Sequence, residues 1–383
     1  MRFMSDQVEN LQIENFKAFN SIKIEPKKLN IITGRNNTGK SSIIEAVDLV
    51  NNPSNIESFS SHGIRDLINL DAESSEITLN GEKTVKIRPP QSFEEINEAV
   101  GRKFVNEYQR INEKFDDDDE TEEVSEEDIS AIIAQSQDLS EKMTNKATVI
   151  EHEEEKNVFF DNVGTNTRRQ VIASIIENLH PEQADEALDN IDRLVYPLPW
   201  NMGENNILDE YRLGGHHLEQ DDTVVQEKIE KFVEEHELIE NFSGFRDGEI
   251  VLEREDGELD SLPLAYMGDG FRAIIGLVRK IIVSDYNTVL VEEPENHLHP
   301  GYVSELVDFI VNQTKNSEIQ FFITTHNADF IEEFYEERFK EDEDLQEKFK
   351  LFRLQRRGFV ESMSYEESRK ELEDLKMDLR GNK

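Results

Sequence analysis

The chain has 383 residues, too many for one small domain and ample for a large core, so one large domain with an insertion, or two domains, is expected. It has no cysteine, which excludes disulfides, thiolate metal sites and a cysteine nucleophile. Lys plus Arg is 42 against 84 Asp plus Glu, a formal net charge of −42 spread along the whole sequence. Such self-repulsion is best tolerated where the Debye length shrinks to about 3 Å, near molar salt, so a salt-loving cytoplasm is expected and a broad basic surface for DNA is not. No apolar run approaches a membrane span and MRFMSDQVEN lacks a signal-peptide core, so the expectation is a soluble cytoplasmic chain with no membrane partner.

In chain order, LQIENF and SIKIEP read as two short alternating strands, and Leu29, Ile31 and Ile32 open a third. That third strand runs into GRNNTGKSS, residues 34–42, and then into a helix with Ile43, Ile44, Val47 and Val50 at helical spacing. The spacing fits GxxxxGK[ST]: a glycine turn aims successive backbone N–H groups inward and makes a cage suited to phosphate. The helix start adds its positive dipole end, Lys40 can reach the outer phosphates, and Ser41 offers a hydroxyl to magnesium. SEITLNGEKTVKIRPP predicts a hairpin turning at Asn80-Gly81.

From about Gln91 to about His236 the sequence turns polar, with helical spacing in VIASIIENL and an acidic run from Asp116; it reads as a helical insertion. The acidic run lacks the spacing of a calcium loop and is expected to be solvated, and His216–His217 are expected to be exposed rather than ligands. Strand character returns in EIVLERE, NTVLVEE, EIQFFITT and KLFRLQR. NTVLVEEPENHLHP ends a buried strand in Glu292 and Glu293. At such a strand end one acid can hold magnesium and the next can orient or deprotonate water. EIQFFITTHNADF ends a second strand at His326, about one crossover helix later, which places the three motifs along one sheet edge. AYMGDGFRAIIGLVRKIIV, with Gly268 and Gly270, is a second glycine-opened helix start, and one phosphate site does not need two.

Together these stretches resemble the ABC-type ATPase heads of the RecF, SMC and OLD class. LQIENFKAFNSIKIEPKKLNIITGRNNTGKSSIIEAV is similar to their first strands and Walker A, MGDGFR to the signature segment, VLVEEPENHLHP to Walker B and the D-loop, and FFITTH to the switch histidine. The implied fold is α/β, a P-loop NTPase core in two lobes, residues 1–90 and 245–383, around a mostly helical insertion at 91–244. The resemblance implies that Gly34, Arg35, Asn36, Asn37, Thr38, Gly39, Lys40, Ser41 and Ser42 cradle ATP. It implies that Ser41 and Glu292 serve Mg2+, Glu293 is the general base and His326 contacts the γ-phosphate. It gives Gly268 and Gly270 a use as well: one head's signature segment caps the nucleotide of the other in an ATP-dependent homodimer. Phe16 and Phe19 are candidates to flank the adenine, with apolar packing beneath the sheet the favoured reading of both. Met267 and Asp269 depart from the usual signature, Glu292 stands where many such strands have Asp, and the glutamine loop is unassigned. The expected activity is ATP hydrolysis with an effector partner, such as a nuclease, in DNA repair, genome maintenance or antiviral defence. A nucleotide-gated sensor or scaffold is the alternative, and a transporter subunit a weaker one.

Overall fold

Strand β4 (Leu29–Gly34) is buried along its whole length, and the reason is its position. It lies between β13 (Gln320–Thr325) and β14 (Phe349–Leu354) and is parallel to both. A parallel strand covered on both faces needs a near-continuous apolar run, which NIIT and QFFIT supply. Strand β12 (Thr288–Glu292) continues the parallel set beyond β13. The antiparallel strands β1 (Arg2–Met4) and β15 (Val360–Met363) close its two edges, giving the order β1-β12-β13-β4-β14-β15.

The computed structural model describes residues 2–4, 7–51, 64–92, 95, 147–152, 155–160, 223–246, 248–254, 256–283, 287–335, 337–340 and 342–375. The acidic run from Asp116, VIASIIENL and the pair His216–His217 lie outside them. A second six-stranded sheet is antiparallel, in the order β3-β2-β5-β6-β7-β8. It is built from β2 (Leu11–Phe16), β3 (Phe19–Ile24), β5 (Ser75–Leu79), β6 (Lys83–Arg88), β7 (Ala147–His152) and β8 (Glu155–Phe160). The expected hairpin turn is present, with Asn80 at φ 55° and Gly81 at φ 72°, both left-handed. In the interval read as a helical insertion, the described residues include this β7–β8 hairpin as well as a helix. Val149 and Ile150 are buried and aligned with Arg88 and Ile87, so pairing onto an existing edge decides their conformation over local propensity. A smaller antiparallel sheet holds β9 (Phe242–Arg246), β10 (Glu249–Glu253) and β11 (Leu259–Pro263), in the order β11-β10-β9.

Alternation along the parallel strands divides the core in two. Ile32, Leu290, Phe322, Phe352 and Leu354 face helix α1 (Lys40–Asn51) and the large antiparallel sheet. Leu29, Ile31, Val289, Val291, Phe321, Ile323, Phe349 and Leu351 face the opposite cluster. That cluster includes residues of α2 (Thr223–Glu235), α3 (Asp269–Val283), α4 (Pro300–Asn316) and α5 (Ala328–Glu333). Between the sheets, α1 is buried nearly all round: Ile43, Ile44, Ala46, Val47, Leu49 and Val50 are at most 1% exposed. Each such side chain contributes roughly 1.5–3 kcal/mol of transfer free energy. Phe16 and Phe19 are fully buried in this cluster, as the packing reading expects. At the other end, α6 (Tyr365–Leu375) is tied to the sheet by the buried Arg353, whose guanidinium donates to Glu361 at 2.6 and 3.1 Å and to Glu371 at 2.7 Å.

Candidate nucleotide-binding site

The turn after β4 holds its shape through three left-handed or glycine-only conformations: Gly34 at φ 152°, Asn37 at φ 63° and Gly39 at φ 104°. At Gly34 a Cβ would stand 2.5 Å from the Leu354 carbonyl oxygen, so the neighbouring strand forbids a side chain there. At Gly39 a Cβ would stand 2.7 Å from Phe19 Cζ; the buried phenyl ring is the floor of the turn. Thr38, itself buried, donates from Oγ1 to the Arg35 carbonyl at 2.8 Å and braces the loop from inside. Arg35, Asn36 and Asn37 are exposed on the outside. Lys40 is buried, and its Nζ donates to the Gly34 carbonyl at 3.2 Å, which folds the side chain back across the turn it follows. Ser41 is exposed in the first turn of α1 while Ser42 is buried.

Two strands to the side, β12 ends in Glu292, which is exposed, and the backbone turns sharply at Glu293. Glu293 has φ 42° and ψ 55° and leads into a short 3-10 turn, Pro294–His297. A left-handed glutamate is strained, and it is held by its own N–H donating to the Thr324 carbonyl at 2.9 Å. The result is a carboxylate thrown back toward the phosphate-type loop. Glu293 Oε1 lies 3.7 Å from Lys40 Nζ and 3.1 Å from His326 Nδ1, and Oε2 accepts from Asn296 Nδ2 at 2.9 Å. Burial alone would raise the Glu293 pKa, but the hydrogen bond from Asn296 and the closeness of His326 and Lys40 outweigh it and hold the carboxyl below its ordinary value.

The structure therefore joins Lys40, Glu293 and His326, three residues from three separate motifs, in one cluster at the carboxyl ends of β4, β12 and β13. In open α/β sheets ligands gather at this edge. Gly268 and Gly270 stand elsewhere, at the opening of α3, and among the described residues they share no hydrogen bond or ion pair with that cluster. A Cβ at Gly268 would meet nothing within 4 Å, and the adjoining Tyr266 is 76% exposed. Asp269 pairs with Arg272 in the first turn of α3. Asn296, Glu295 and Thr325 carry no functional signal in the sequence alone. Asn296 follows Glu293 at i+3, a spacing that is informative only once the 3-10 turn is known. Glu295 looks like one more solvated acid in EEPEN, yet it is 6% exposed and accepts from Thr325 Oγ1.

An anion turn floored by Phe19 at the end of a fully buried central strand, an acidic strand end and a histidine on the strand between them form a P-loop NTPase type of site. The chain belongs to the family described as "AAA domain, putative AbiEii toxin, Type IV TA system", which matches residues 29–332. It is similar to an ATP/GTP phosphatase of Helicobacter pylori, 25% identical over 342 residues that cover 85% of this chain and 86% of the relative. It is similar also to an uncharacterized protein of Methanocaldococcus jannaschii, 30% identical over 118 residues, 30% of this chain and 100% of the relative. Among solved structures, the SMC head domain from Thermotoga maritima aligns with a TM-score of 0.45 and 14% identity, over 94% of this chain and 99% of that one.

Proposed function

We propose that this chain is a Mg2+-dependent ATPase that closes as a homodimer on ATP and drives a conformational change in a partner effector. The observation that carries the reading is the Glu293 carboxylate set between Lys40 and His326. The residues present fit a magnesium nucleotide: the turn of Gly34, Asn37 and Gly39 presents backbone donors, Ser41 is an exposed hydroxyl beside them, and Glu292 is an exposed carboxylate at the strand end. Ser41 and Glu292 would hold Mg2+, which would neutralise charge on the outer phosphate oxygens.

Lys40 is at present shared between the Gly34 carbonyl and Glu293. On binding, the ammonium turns toward the phosphates, and Glu293 loses a cation that depresses its basicity. The carboxylate then stands ready to orient water and accept its proton, while His326 stays beside it and meets the γ-phosphate. Gly268, exposed just before α3, and the half-buried Gly270 would cap the nucleotide of a second copy. The name of the H. pylori relative supports nucleotide hydrolysis. The family description, which names a toxin of a toxin–antitoxin system, supports antiviral defence ahead of DNA repair or genome maintenance as the setting.

Replacing Glu293→Gln keeps shape and removes the base. Turnover of ATP is expected to fall by about 10²–10⁴, while light scattering shows a dimer persisting with ATP and magnesium. Unchanged turnover removes Glu293 as the base. A second reading, a nucleotide-gated sensor or scaffold, is favoured by Asp269, whose side chain is 73% exposed and places a carboxylate in the segment meant to face a triphosphate. It requires that partner capture be as complete with a non-hydrolysable analogue as with ATP.

A further inference from the structure

Glu295 sits two residues beyond Glu293, in the same 3-10 turn, and its side chain is buried although the surrounding EEPEN is the kind of sequence that water normally covers. Its Oε1 accepts from Thr325 Oγ1, and that hydroxyl in turn accepts the Asn327 N–H at 3.0 Å. Thr325 and Asn327 are the two neighbours of His326. Asn327 goes on to cap α5 by accepting the Asp329 N–H at 2.9 Å. A chain of hydrogen bonds thus runs from the turn that aims Glu293 to both sides of the histidine beside it.

The third motif joins from the neighbouring strand. Thr33, the residue before Gly34, is the register partner of Thr325 on β4. Thr33 Oγ1 and Glu295 Oε2 are both buried and without a hydrogen-bond partner among the described residues. Leaving a carboxyl oxygen in this state is costly, and an apolar side chain would avoid the cost. Burial, with the Glu293 charge in addition, pushes the Glu295 carboxyl up toward its neutral form.

We propose that Glu295 is a positioning residue that fixes the switch loop of His326 against the Glu293 turn through the Thr325 hydroxyl, so that base and γ-phosphate contact move together. This rests on reading the site as a hydrolytic centre. The bond itself exists without nucleotide, and two separate measurements reach the two claims.

The variants are Glu295→Ala, Thr325→Val, their double, and Glu295→Gln, which keeps an acceptor for the hydroxyl. In ATP turnover Glu295→Ala and Thr325→Val are each expected to lower kcat by about tenfold or more with KM changed less than about twofold, as for outer partners that orient catalytic groups. The double should fall no further than the worse single, and Glu295→Gln should restore most of the rate. In nucleotide-free protein carrying 13C-labelled histidine, the His326 ring resonance, assigned by its loss in His326→Gln, should shift in Glu295→Ala and Thr325→Val but stay in place in Glu295→Gln. A resonance unmoved in both variants overturns the proposal, as do losses that multiply in the double or appear in KM. Absence of turnover in the unaltered protein would refute the function, and the resonance would still decide the linkage.

Discussion

Gly39→Ala tests the floor of the anion turn. Gly39 adopts φ 104°, a region that residues with a side chain enter at a cost of about 1–3 kcal/mol. The added methyl carbon would meet Phe19 Cζ at 2.7 Å, well inside the 3.4–4 Å of ordinary contact. Phe19 has little room to withdraw, since it is fully buried. Overpacking of this kind costs about 1–3 kcal/mol. The two contributions predict a loss of about 2–6 kcal/mol, read from the urea midpoint of the circular-dichroism transition. Phe19→Leu removes the ring and separates them. The pair should couple favourably by about 1–3 kcal/mol in a double-mutant cycle, leaving the backbone strain as the remainder. A loss below about 1 kcal/mol, or strictly additive variants, would refute the contact as the reason for glycine.

Arg353→Met leaves Glu361 and Glu371 facing each other without their shared donor, and a destabilisation of about 1–3 kcal/mol is expected in urea, with α6 opened to limited proteolysis. Because burial raises the Glu295 pKa above its ordinary 4.5, its contribution to stability is fully present below that value and is lost as pH rises through the folded value. Glu295→Gln does not titrate at this position, so its melting temperature relative to the unaltered protein should climb from pH 4.5 toward neutrality; a constant difference contradicts the shift. With a net charge of −42, the protein should gain stability steadily as KCl is raised from about 0.1 M toward molar concentrations, over which the Debye length falls from about 10 to 3 Å. A flat urea midpoint over that range excludes charge repulsion as the limiting cost.

The sequence was most readable where one local rule decides the outcome. GRNNTGKSS needs only its glycines, lysine and flanking apolar runs to be read as an anion turn, and Asn80-Gly81 needs only its tolerance of positive φ to mark a hairpin. The strand ends at Glu292 and Thr325 were legible because doubly buried parallel strands read as apolar runs that stop abruptly. What was hidden depends on contacts far apart in sequence. Residues 149–152 pair with residues 85–88, and no pattern within either segment announces the other. KLFRLQR is recognisably a strand, but its place beside β4 is decided by crossovers. Glu295 was missed because its composition argues for water, and only the approach of Thr325 from another strand puts it inside. The site's polar support is therefore less legible than its catalytic candidates: the latter sit at strand ends, and the former owe their role to burial.

The position of α1 sets how a force applied at the anion turn would spread. A helix enclosed on nearly every side offers no wet stripe along which it could slip independently of its surroundings, and close-packed interiors transmit strain rather than absorb it. Its first residue, Lys40, belongs to the anion turn, while its apolar flanks touch both six-stranded sheets. Any push delivered at the lysine end must be shared by the two sheets as one rigid lever, so the surfaces free to respond are the outer helices and the solvent-facing start of α3.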